Sequence, residues 1–162
     1  MIICLCGNEK SKVLNELKQV YKDKLIIFNY YHTAFRTIVE TESVKYKLQS
    51  ECKSLKDARK LYNEYVNDIV VNKTNEFIEN NKDKIIVLIS DNVLSKDLDK
   101  TNFFDKSDLK ILVNSDSRYE YNKNKFDLVI DKNQNIDIKK LVKLWWFVYV
   151  VKVVVVKVLS QN

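Results

Sequence analysis

The residues that could do chemistry gather behind the first apolar run. Met1 to Cys6 reads as a buried strand, and directly after it stands Gly7, the only glycine among 162 residues, followed by Asn8, Glu9, Lys10, Ser11 and Lys12. A strand, a glycine, lysines and then a helical pattern is the layout of a phosphate-binding loop, G-x-x-x-x-G-K-[ST]. There the glycines let backbone N–H groups turn toward phosphates, the lysine reaches the outer phosphates and the hydroxyl holds magnesium. Gly7 stands where the first glycine belongs, but Lys12 occupies the second glycine's place and Val13 the lysine's. With one residue deleted from the pattern, Lys12 takes the lysine role, Ser11 precedes it and no hydroxyl follows. Gly7, Asn8, Lys10, Ser11 and Lys12 are therefore candidate phosphate contacts. The competing reading is an ordinary strand-to-helix turn whose helix is capped by Asn8 or Ser11.

Two further residues fit the same chemistry. Asp91 closes the apolar run Ile85 to Ile89 (IIVLI, then Ser90), and a carboxylate at the end of a buried strand beside a phosphate loop can hold magnesium through water or accept a substrate proton. An N-cap or turn aspartate is the alternative. Arg118, in NSDSRYE, is one of only three arginines with Arg36 and Arg59. It follows a strand where a lid would lie and could meet the charge of a moving phosphoryl group; a surface arginine is the competing reading. His32, the single histidine, has no partner for a triad and is assigned to a helix start or to packing. Cys4, Cys6 and Cys52 lack paired spacing, which argues against a disulfide framework and for a reducing compartment. Cys4 and Cys6 share one strand face and read as buried small hydrophobes. No metal-ligand set is expected.

The elements that would position these residues alternate. Helical spacing runs over Ser11 to Tyr21, His32 to Gln49 and Leu55 to Ile78, with Ser54 as N-cap and Asp57 at N3 of the last. Apolar runs at Leu25 to Phe28, Ile85 to Ile89, Leu109 to Val113 and Phe126 to Ile130 read as strands, and helical spacing restarts at Ile136. Strands alternating with helices imply a parallel sheet covered on both faces, with ligands at the carboxyl ends of the strands.

The length favours one domain, and 46% hydrophobic with 31% charged residues is globular composition. The net charge of +6 favours polyanionic partners, although acidic residues are interspersed with the lysines. Residues 144 to 159 are apolar except for Lys152 and Lys157. That run is too short and too interrupted to be expected to span a membrane, and valine favours strand. It reads as an added strand, a buried helix extension or an oligomer contact. The N-terminus runs straight into a strand, so no signal peptide is expected.

Four regions in order carry a resemblance: IICLCGNEKSKVLNEL, KLIIFNYYHTAFRTIV, IIVLISDNVLSKDLD and FDLVIDKNQNIDIKKLVKLW. Together the chain resembles the bacteriophage-type deoxynucleoside monophosphate kinases and, more distantly, the dephospho-coenzyme A kinases, over most of residues 1 to 145. The resemblance implies an α/β fold, a three-layer P-loop kinase-like parallel sheet of about five strands flanked by helices, over residues 1 to 145; the Val-rich, apolar residues 146 to 162 lie outside it and read as a C-terminal extension of the same domain. It implies Lys12 as the phosphate lysine, Gly7 as the loop glycine, Asp91 as the strand-end carboxylate and Arg118 as the lid arginine, with ATP and Mg2+ as cofactors if the protein is active. The departures are the missing second glycine, the missing Ser/Thr after the lysine, and Asn-Val-Leu after Asp91 where the family has an arginine. Losing the glycine and the hydroxyl removes several kcal/mol of transition-state stabilisation, roughly 10²–10³ in rate. The expectation is a degenerate kinase-like protein, a pseudoenzyme of viral or phage type in a cytoplasm. It would act by binding a nucleotide, itself or a protein partner through the tail. An active divergent kinase is the first alternative and a basic nucleic-acid-binding module the second; a membrane is not an expected partner.

Overall fold

The computed structural model describes residues 1–89, 103–113 and 123–131, together with residues 137, 140, 143, 144, 147, 150 and 151. Strand β1 is Ile2–Gly7, helix α1 Lys10–Tyr21, β2 Leu25–Asn29, α2 Tyr30–Glu40, α3 Glu42–Glu51, α4 Leu55–Asn80, β3 Ile85–Ile89, β4 Leu109–Val113 and β5 Leu128–Ile130. The strands form one five-stranded sheet in the order β2-β3-β1-β4-β5, and every pairing is parallel. The α/β fold with a parallel sheet between helical layers is as the sequence implied.

The pleat assigns the faces. Ile3, Leu5, Val87, Leu109 and Ile111 point to one side, where Val13 and Leu17 of α1 cover them. Ile86, Leu88 and Phe28 point to the other side, against Val71, Phe77 and Ile78 of α4. Cys4 and Cys6 lie on that second face with Leu112, Phe104 and Phe126. Their sulfurs are 3.7 Å apart, and both are buried free thiols, as small hydrophobes should be.

Two aspartates pin the register. Asp108 accepts the Ile2 N–H at 2.7 Å through its carboxylate and donates its own N–H to the Ile2 carbonyl at 2.8 Å. Asp127 does the same to Lys110, accepting its N–H at 2.8 Å and donating to its carbonyl at 3.0 Å. Each sits one residue before its strand in an Asp-Leu pair. Each therefore ties the incoming strand to the one already in place, where a one-residue slip would turn its apolar set outward.

The helix expected over His32 to Gln49 is two helices, broken at Thr41 with φ −107° and ψ 15°. Threonines at every fourth position bond back along the chain: Thr33 Oγ1 donates to the Asn29 carbonyl, Thr37 to that of Thr33 and Thr41 to that of Thr37 at 2.6 Å. Such back-bonding bends helices. Here the Tyr62 hydroxyl takes up the break by donating to the Ile38 carbonyl at 3.1 Å. The start of α4 is as read: the Ser54 hydroxyl accepts the Asp57 N–H at 3.1 Å and donates to its carboxylate at 2.7 Å.

Tyr30 opens α2 beneath Phe103, their ring centroids 6.3 Å apart, with its hydroxyl 3.5 Å from the Asn67 side-chain oxygen. Burial pushes the Tyr30 phenol up to about 12. The neutral form is the one the fold favours, so this contribution is complete below pH 10 and is lost as pH rises toward 12. Tyr30→Phe should change stability little at pH 7 and should show a smaller loss between pH 10 and 12, read from urea midpoints.

Candidate functional site

Topology points to the carboxyl end of β1. From β1 the chain crosses leftward over β3 to reach β2, while from β2 it returns rightward through α2, α3 and α4 to reach β3. Right-handed crossovers in opposite directions leave on opposite faces of the sheet. The packing agrees, with α1 on one face and α4 on the other. A crevice at such a switch, beyond the strand ends, is where open parallel sheets bind ligands. Gly7, the last residue of β1, stands at that edge paired with Val113, and Asn29 of β2 pairs with Ile89 of β3 beside it.

The turn that leaves this edge is short. β1 ends at Gly7 and α1 begins at Lys10, so only Asn8 and Glu9 connect them. Gly7 has φ +99°, and Glu9, the N-cap residue, sits in the left-handed region at φ 54° without a side-chain cap bond. The expected caps, Asn8 and Ser11, are therefore not in the cap position. The Asn8 N–H donates to the Val113 carbonyl at 2.9 Å, and the Lys10 ammonium folds back onto the Gly7 carbonyl at 2.5 Å. A β-carbon on Gly7 would fall inside the Val113 carbonyl oxygen, with the Val113 carbonyl carbon at 2.9 Å and amide nitrogen at 3.0 Å. The chain's one glycine stands where β4 passes closest.

A triphosphate cradle needs several consecutive N–H groups aimed into one concavity. Two connecting residues, with the Asn8 N–H already spent on β4, do not make that shape. Gly7, Asn8 and Lys10 come together at the strand end, while Ser11 and Lys12 are exposed in the first turn of α1. That turn carries no acidic residue, so Lys10, Lys12 and the helix N-terminus add up to a positive end. Asp91 and Arg118 lie outside the described residues. Among the described residues no three His, Cys, Asp or Glu side chains come close enough to hold a metal ion.

Two participants at this edge had no place in the sequence reading. The Val113 carbonyl is a backbone group from a strand more than a hundred residues away and leaves no sequence signal. Asn29 caps α2 by accepting the His32 N–H at 3.0 Å, which places His32 at the helix start. An asparagine between an apolar run and a helical pattern is a legible cap. Among the described residues no helix is long and apolar enough to cross a membrane. No protein-family model and no curated protein matches the chain.

Proposed function

We propose that the protein is a degenerate nucleotide-kinase-like protein that has lost phosphoryl transfer and works by binding. The observation that carries this reading is the two-residue turn between Gly7 and Lys10, closed by the Asn8 N–H on Val113 and by Lys10 on the Gly7 carbonyl. It occupies the place in a parallel α/β sheet where a phosphate loop would open. The missing second glycine and magnesium hydroxyl in the sequence point the same way. ATP–Mg2+ does not fit the turn, and no catalytic step is assigned to Lys12, Asp91 or Arg118.

The second reading, an active divergent deoxynucleoside monophosphate kinase, is favoured by one observation: the positive, acid-free first turn of α1 with Lys12 accessible. A panel of nucleoside and deoxynucleoside monophosphates incubated with ATP–Mg2+ separates the two. The proposal expects no diphosphate above the enzyme-free rate. Turnover that Lys12→Ala abolishes would establish the second reading instead.

A further inference from the structure

Described residues toward the carboxyl end present an apolar surface to water. Lys140, Lys143, Leu144, Phe147, Val150 and Val151 are helical, and all are exposed. Steps of three and four place them along one helix face. Leu144 is 55%, Phe147 69%, Val150 38% and Val151 45% exposed, so this water-facing stripe is basic at its start and apolar beyond. Asp137 caps the start, its carboxylate accepting the Lys140 N–H at 3.1 Å.

Charge selects the occupant. After Asp137 the sequence carries Lys139, Lys140, Lys143, Lys152 and Lys157 and no Asp or Glu. A second copy of this stretch would bring further lysines and no carboxylate to neutralise them. An anionic bilayer supplies an apolar boundary and a negative surface together and requires no matched shape. Lying on a bilayer also needs less apolar length than spanning one. Another exposed apolar stripe, Tyr31, Phe35, Ile38 and Val39 on α2, is bordered by Arg36, Glu40 and Glu42 and selects no occupant.

We propose that this exposed stripe docks the protein on anionic lipid, with Leu144, Phe147, Val150 and Val151 at the acyl boundary and Lys140 and Lys143 at the headgroups. This stands apart from the reading of the β1 turn. The test is co-sedimentation of the full chain with phosphatidylcholine vesicles and with vesicles that also contain phosphatidylglycerol. The expected result is binding to the anionic vesicles alone, weakened by salt. Lys140→Gln with Lys143→Gln should weaken it about thirtyfold, at about fivefold per lysine, and Phe147→Ser should weaken it tenfold or more. These side chains are exposed, so circular dichroism should show the variants folded. Absence of binding at low salt, or binding unchanged in folded variants, would overturn the proposal. So would concentration-dependent self-association in lipid-free buffer that Phe147→Ser abolishes, since a second copy would then be the occupant.

Discussion

Gly7→Ala is expected to destabilise the protein by about 4 kcal/mol or more, a large part of the ~5–15 kcal/mol that holds a domain together. Two costs combine. Backbone at φ +99° is strained for any residue with a β-carbon, by about 1–3 kcal/mol. The added carbon would also collide with the Val113 carbonyl, which is backbone of a central strand and cannot rotate away as a flexible side chain would. Relief would require parting β1 from β4 at its last pair and giving up the Asn8 bond to Val113. Lys12→Ala, in the exposed first turn of α1, should stay within about 0.5 kcal/mol of the parent. Urea midpoints for the two variants separate a glycine required by close strand packing from one retained for a ligand. A Gly7→Ala protein within 1 kcal/mol of the parent would contradict the close approach to β4.

Leu5→Ala should cost about 3–5 kcal/mol. Leu5 is fully buried in the central strand, paired with Ile89 on one side and Ile111 on the other. Neighbouring strands hemmed in on both sides collapse poorly into a void, and the cost of a deletion grows with the cavity that remains. Leu14→Ala, on α1 at the partly buried margin of the same cluster, should cost about half as much or less. Equilibrium urea unfolding with unchanged slope would identify both losses as folded-state packing.

What could be read from residue order was set by local chemistry. Runs such as IIVLI are short, branched and flanked by polar residues, which favours buried strands, and their alternation with helices implied a parallel sheet. The Ser54 cap was legible because hydroxyl and carboxylate stand at the spacing that closes a turn. The break at Thr41 was not read, since apolar spacing continues through it; the signal was the Thr-x-x-x-Thr-x-x-x-Thr ladder, which bends a helix without interrupting its pattern. The position of Gly7 was legible and its reason was not, because the constraint comes from a carbonyl on a distant strand. The start of α1 was read one residue late, at Ser11 rather than Lys10; glutamate has no preference for left-handed backbone, so nothing in the sequence marks Glu9 as the N-cap.

On the proposed reading, the sheet keeps its switch-point geometry while the turn after β1 does not cradle phosphate. Calorimetric titration of the full chain with ATP–Mg2+, beside Lys12→Ala, tests it most directly. The account predicts no saturable heat up to millimolar nucleotide for either protein. Saturable binding by the parent that is lost in a folded Lys12→Ala variant would contradict it, because the exposed lysine would then be holding phosphate at a turn that rearranges to receive it.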